Sequence, residues 1–307
     1  MKTTQSRLIL LAGIAALPFV VGCSSSQSAS GTGGGSGSGG SSGSGGAGVP
    51  SCPGSDELIS DFTSDNGVHQ VDGRQGGWYT YGDSSGRGTL SPPQGGAATP
   101  DSNVGNTKCS GPGSLHVTAM GFTDWGSAMG VDFVPSVVND AGAGVKGTYD
   151  ASKYRGISFW AKAAAGSAIK FVQVSLLDPY TGIPSILPAN QTCAYSTNPM
   201  DPAMTAKNCS PYLVKFGYGY TGDDLTNVTA DYPGHVNDKI DDTWRQFVVL
   251  FSETKQDRGN PGQPSPGNKL DVAQLMGMAI QINTDHSTMP PTANDYEVWV
   301  DDVAFVK

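Results

Sequence analysis

The chain has 307 residues, a net charge of −9 and only 15% charged residues, with 43 glycines. No stretch gathers lysine and arginine into a basic stripe, which argues against nucleic acid as a partner. A glycine-rich, charge-poor composition is that of short strands joined by turns rather than of helices.

Near the N-terminus, Lys2 and Arg7 precede an apolar run over residues 8–21. The run is too short and wrongly flanked for a membrane span, and it reads as a signal peptide over residues 1–22. Val20-Val21-Gly22-Cys23, followed at once by a polar serine-rich run, resembles the lipobox of bacterial lipoproteins. The resemblance implies cleavage before Cys23, acylation of Cys23 and, from Ser24, sorting to the outer membrane. Multiple acyl chains anchor a protein stably, whereas one does so only marginally. The residues that follow are nearly all Ser, Gly, Ala and Thr and cannot bury enough apolar surface to offset their ordering entropy. Residues 23–51 therefore form a disordered Gly/Ser linker, with a mean span of about 30 Å and a reach of about 90 Å. Residues 52–307 are expected to be one domain and a monomer.

Four cysteines remain, Cys52, Cys109, Cys193 and Cys209, and four allow three pairings. Cys52–Cys109 and Cys193–Cys209 are favoured: the first pins the start of the domain to a later loop, and the second closes a short Pro/Asn-rich loop. Outside the cytoplasm disulfides are the expected state, and no pair has the close spacing of a zinc site.

In chain order, strands are predicted over residues 58–62, 77–81, 114–120, 127–133 and 156–162, then over 169–177, 244–251, 275–283 and 297–306. Alternation carries the prediction: Ile157 and Phe159 oppose Ser158 and Trp160, and Val172, Val174 and Leu176 oppose Gln173 and Ser175. Met278, Ile280 and Ile282 oppose Ala279, Gln281 and Asn283 in the same way. One short helix is expected over 271–276. Many short strands between Gly, Pro and Asn turns imply an all-β sandwich or jelly roll with long loops at 82–113 and 178–243.

Four motifs share a further pattern. They are Asp72-Gly73-Arg74 with Gly77-Trp78-Tyr79-Thr80-Tyr81; Tyr149-Asp150 with Tyr154-Arg155-Gly156-Ile157-Ser158-Phe159-Trp160-Ala161-Lys162; Thr243-Trp244 through Val249-Leu250-Phe251-Ser252; and Trp299-Val300-Asp301-Asp302-Val303. In this order they resemble the galactose-binding-domain-like jelly rolls, in particular carbohydrate-binding modules of family 11 and their relatives, over roughly residues 56–307. The resemblance implies a jelly-roll β-sandwich that holds a polysaccharide or oligosaccharide without cleaving it. It also implies a structural calcium between the first-strand region and the last strand, with Asp302, Asp61, Asp72 and Asp301 as ligands. The chain departs from the pattern in the loop carrying Cys193 and Cys209 and in the insert over 217–237, so the ligand's identity does not carry over.

A sugar presents flat C–H faces ringed by hydroxyls, so its site needs an aromatic platform beside amides or carboxylates. On the side opposite the apolar core the strands offer Trp160, Gln173, Ser175, Gln281 and Asn283. The glycine-rich pair Tyr218 and Tyr220 adds a loop contact, and Tyr79, Tyr81, Asp124, Trp125 and Tyr180 are further loop candidates. Trp78 is expected in the core, and Trp244 and Trp299 are expected to be structural.

Catalytic signals are poor. Residues 82–86 match G-x-S-x-G, but no helix follows Ser84 as a nucleophile elbow requires. His69, His116, His235 and His286 are scattered without an H-E-x-x-H. Asp124, Asp178, Asp223, Asp224 and Glu253 could supply a two-carboxylate pair, although they read as solvated loop acids. The expectation is a binding lipoprotein, with a glycan-cleaving enzyme on the same scaffold or an adhesive surface protein as alternatives.

Overall fold

The computed structural model describes residues 52–63, 67–83, 88–98, 100–102, 104–105, 109, 111–138, 144–167, 169, 171–181, 211–217, 232, 234–235, 237–256, 267, 269–285 and 290–307. All lie within the unit Gly48–Lys307. The expectations for the signal peptide, Cys23, the linker and the Cys193–Cys209 bond fall outside the described residues.

Fifteen strands are described. They are β1 (Leu58–Ser60), β2 (Trp78–Gly82), β3 (Thr89–Ser91), β4 (Pro100–Asp101), β5 (Ser114–Met120), β6 (Ser127–Asp132), β7 (Val137–Val138), β8 (Gly144–Val145) and β9 (Gly156–Ala163). They continue with β10 (Val172–Leu177), β11 (Tyr212–Phe216), β12 (Arg245–Leu250), β13 (Lys255–Gln256), β14 (Gly277–Ile282) and β15 (Tyr296–Val306). The short helix expected over 271–276 is a single 3-10 turn, Val272–Gln274, and a second such turn spans Phe251–Glu253. No strand was expected over Tyr212–Phe216, yet β11 is buried along its whole length.

Two antiparallel sheets face each other. A seven-stranded sheet runs β12-β9-β15-β5-β3, with β1 also on β15 and β4 also on β5. A six-stranded sheet runs β13-β11-β10-β14-β6-β2. The chain passes from β5 to β6, from β9 to β10, and from β14 to β15, changing sheet each time. Four strands in the order β5-β15-β9-β12 lie over four in the order β6-β14-β10-β11, which is a jelly roll.

The core fills the space between the sheets, as the alternation requires. From one side come Leu115, Val117, Ile157, Phe159, Phe247, Val249, Val298 and Val300; from the other, Met129, Val131, Val174, Leu176, Val214 and Ile280. Each such side chain contributes about 1.5–3 kcal/mol when fully buried. Trp78 is buried as expected, and its indole N–H donates to Ser60 Oγ at 2.9 Å.

Strict alternation fails in β15. The register on β9 shifts between Asp301 and Ala304, and Asp302 takes a φ of +47°. This bulge inserts one residue, so that Val303 and Phe305 return to the core in phase with Val298 and Val300.

The start of the domain is pinned at several points. Cys52 and Cys109 form the expected disulfide. Phe305 N–H donates to Glu57 O at 2.8 Å, and Lys307 pairs with the Glu57 carboxylate. Arg74 is fully buried and donates to Val71 O and Asp56 O at 3.1 Å each, with its guanidinium over the rings of Tyr149 and Phe305.

Candidate functional site

The outer face of the six-stranded sheet carries a row of aromatic rings beside a row of amides. Its centre is β6, whose outward residues Ala128 and Gly130 are small. Tyr79 and Tyr81 project outward from β2 and lie over that gap. A Cβ placed on Gly130 would sit 3.2 Å from Tyr79 Cζ and from Tyr81 Cε1. The two tyrosine rings are 5.9 Å apart, and Trp125 extends the aromatic row with its ring 5.9 Å from Tyr81.

On the other side of β6 the face turns polar. Cross-strand register places Tyr81, Ala128, Gln281, Gln173 and Lys215 in one row across five strands. The neighbouring row is Tyr79, Gly130, Ala279, Ser175 and Leu213. Gln173 Nε2 donates to Ser175 Oγ at 3.1 Å, and Gln281 Nε2 donates to Asn283 Oδ1 at 2.5 Å. Ser175 and Asn283 are buried, while Gln173 and Gln281 remain partly exposed. The two glutamines therefore carry the accessible amide groups, and the two shorter residues hold them in place.

A charged pair closes the tyrosine end. Lys146 Nζ donates to Asp132 Oδ1 at 2.6 Å and to Tyr79 Oη at 3.4 Å, and Tyr79 Oη donates to the same carboxylate oxygen at 3.3 Å. Burial pushes both tyrosine hydroxyls well above the ordinary phenol range, and Asp132 pushes them further. Both rings therefore stay neutral and present apolar faces with a hydrogen-bonding rim.

Gln173, Ser175, Gln281 and Asn283 are thus brought together as expected. Trp160 is not among them. It does point away from the core, but β9 belongs to the seven-stranded sheet, where Trp160 faces Gln246 and Asp301 and is only 3% exposed. Alternation gives the side of a strand and not its sheet, so two outward residues can lie on opposite faces of the sandwich. Tyr218 and Tyr220 lie outside the described residues. Tyr79 and Tyr81 lie on β2, within the strand expected over 77–81, rather than on a loop, and their parity with the buried Trp78 was the signal that they face outward. Nothing in the sequence marked Asp132, Lys146 or Gly130.

The four aspartates that the resemblance assigned to calcium do not assemble as a set. Asp72 pairs with Lys153 at the surface, while Asp61 accepts from Thr63 N–H at 3.1 Å and lies 3.3 Å from His69 Nε2. Asp301 and Asp302 are adjacent and buried at the β15 bulge, where Asp301 Oδ1 accepts the Asp302 N–H at 2.8 Å. Among the described residues no group of three or more His, Cys, Asp or Glu side chains could hold a metal ion. Of the acids considered for catalysis, Asp178 is buried and accepts from Tyr180 N–H, Thr181 Oγ1 and Asp271 N–H, and Glu253 accepts from Leu250 N–H. Asp124 is exposed, and Asp223 and Asp224 lie outside the described residues.

No protein-family profile matches the chain, and no curated protein matches it in sequence. Similar solved structures include family 11 carbohydrate-binding modules, the group whose motif order the sequence resembles. One is from Clostridium thermocellum, in complex with a β-1,3-1,4-mixed-linked tetrasaccharide: 13% identity, TM-score 0.41, covering 81% of this chain and 94% of that one. Another belongs to the cellulosomal cellulase Lic26A-Cel5E of the same organism: 13% identity, TM-score 0.39, covering 81% and 95%. A third is an agarase, at 6% identity and TM-score 0.38, covering 82% of this chain and 26% of that one.

Proposed function

We propose that the outer face of the six-stranded sheet binds a polysaccharide without cleaving it. The observation that carries this reading is the tyrosine pair laid over Gly130 beside a row of partly exposed amides. Tyr79, Tyr81 and Trp125 offer apolar faces to sugar C–H groups. Gln173 offers a donor and an acceptor to hydroxyls and Gln281 its carbonyl acceptor, and buried neighbours fix their orientation. The described acid beside the tyrosines, Asp132, is engaged by Lys146 and Tyr79.

The lipobox-like Val20-Val21-Gly22-Cys23 supports an anchor at the outer membrane, facing the periplasm or the cell surface. Affinity at one such site is weak, and anchoring many copies on one membrane makes it effective by raising the local concentration of sites. Of the four aspartates, Asp301 and Asp302 lie together as buried carboxylates at one strand bulge and would supply two oxygens of a structural calcium site, the others coming from main-chain carbonyls or water.

Affinity electrophoresis of the full chain in detergent against plant, algal and microbial polysaccharides tests the reading. Retention without new chain ends, lost in Tyr81→Ala and Gln281→Ala, is expected. New reducing or unsaturated ends would replace it with an enzyme. Labelled palmitate should enter the wild type and not Cys23→Ala. A chelator should lower the melting temperature of the wild type and leave Asp302→Asn unmoved.

A further inference from the structure

The turn over residues 121–126 is held at nearly every backbone position. Gly121 N–H donates to Asp295 Oδ1 at 2.7 Å, and Phe122 O accepts from Thr284 Oγ1 at 3.1 Å. The Phe122 ring is buried against Gly82 and Gly88, where even a Cβ would lie within 2.3 Å of it. Asp83, one residue beyond the end of β2, supplies the remaining holds. Its own N–H donates to Gly126 O at 2.9 Å, which prolongs the β2–β6 ladder past Gly82 and Ser127. Its Oδ2 then turns back and accepts two N–H groups, from Asp124 at 2.9 Å and from Gly126 at 3.1 Å.

Those two N–H groups flank Trp125 on either side. The residue between them is the one whose ring meets Tyr81 and whose carbonyl lies 3.5 Å from Gln281 Nε2. Asp83 itself is 4% exposed and lies beneath the ligand face rather than on it. A carboxylate that accepts paired backbone N–H groups is a strong, directional clamp, and fixing a contact residue before binding lowers the entropy that binding must overcome.

We propose that Asp83 is a positioning residue of the glycan site: its carboxylate presets Trp125 as the end of the tyrosine platform, and it acts on ligand only through that ring. The proposal rests on the binding reading above. It predicts that Asp83→Ala and Trp125→Ala weaken binding by the same factor, and that the double variant is no weaker than either alone, to within about twofold. Asp83→Ala combined with Tyr79→Ala should instead multiply. Asp83→Asn keeps an acceptor and should recover most of the affinity.

A readout without ligand separates this proposal from the function itself. Near-ultraviolet circular dichroism of the full chain reports the coupling of the Trp125 and Tyr81 rings. The difference spectrum for Asp83→Ala should match that for Trp125→Phe, and Asp83→Asn, which conserves shape, should lie close to the wild type. Failure of every glycan to bind, with matching difference spectra, would remove the binding reading and leave the clamp standing. An unchanged spectrum in Asp83→Ala, or full multiplication of its effect with that of Trp125→Ala, would overturn the proposal.

Discussion

Gly130 offers the sharpest perturbation of the site because it separates binding from stability. Gly130→Ala adds one methyl group in the extended backbone of β6, with no strain in φ. The new carbon would meet Tyr79 Cζ and Tyr81 Cε1 at 3.2 Å and Tyr79 Cε2 at 3.3 Å, inside the 3.4–4 Å of ordinary contact. Both rings must withdraw by a few tenths of an ångström. Replacing glycine within a strand contributes about 0.5–1 kcal/mol to stability. Loosening the tyrosine pair removes part of an interaction of about 0.5–1.5 kcal/mol. The two nearly cancel, so the melting temperature should stay within about 2–4 °C of the wild type. A bound sugar sees only the loss: a displaced platform costs about 1 kcal/mol, a fall in affinity of about fivefold. Calorimetric titration with a retained glycan, beside a thermal melt of the same sample, checks both values. Unchanged affinity would show that the tyrosines are not the platform. A large drop in melting temperature would show that the rings cannot yield and that the face is built for packing.

Other expectations follow from the same geometry. Reducing the Cys52–Cys109 bond, which spans 57 residues, should lower stability by about 4 kcal/mol in urea titrations, and a loss below about 1 kcal/mol would mean that the Glu57 and Arg74 contacts already hold the segment. In an alkaline titration followed by phenolate absorbance, Tyr79 and Tyr81 should ionise after the exposed tyrosines. Phe at both positions should shrink the late phase, which the buried Tyr296 shares, and spare the early one; loss of an early phase would contradict their burial. Lys307 donates to Glu57 and holds that carboxyl below its usual 4.5. The pair's contribution is therefore complete above that value and is lost as pH falls through the lower folded one. Lys307→Met should lower the melting temperature slightly at neutral pH and converge on the wild type at acid pH, which flattens the acid limb; an equal loss at every pH would point to packing of the lysine stem instead.

Much of this fold was legible because strands announce their inward residues. Ile157 and Phe159, Val172 to Leu176, and Met278 to Ile282 each show one buried face, and each is a core strand. Which sheet a strand joins is set by long-range pairing that no local pattern encodes, and this is why Trp160 parted from Gln173 and Gln281. The bulge at Asp302 is similarly silent: it depends on a left-handed backbone at one residue, and alternation continued from Val298 would have turned Val303 outward. Tyr212, Val214 and Phe216 did alternate, but their Pro/Asn-rich surroundings masked a strand that is buried on both faces. Tyr79 and Tyr81 were recoverable from parity alone, whereas the gap they cover is visible only once β2 lies against β6.

The position of β15 has a consequence for how the molecule comes into being. It comes last in the chain among the described strands, yet it is a central strand of its sheet, between β9 and β5, and β1 pairs with it from the other end of the domain. Until it arrives, β5 and β9 each present an unpaired edge of the kind that invites association with other chains. The strands of the other sheet can pair earlier, since β14, β10 and β6 precede it in the chain. Closure of the seven-stranded sheet must therefore wait for β15, with a high contact order and a slow rate. A chain ending before Tyr296 would keep the strands of the tyrosine face and lose the sheet that supports them.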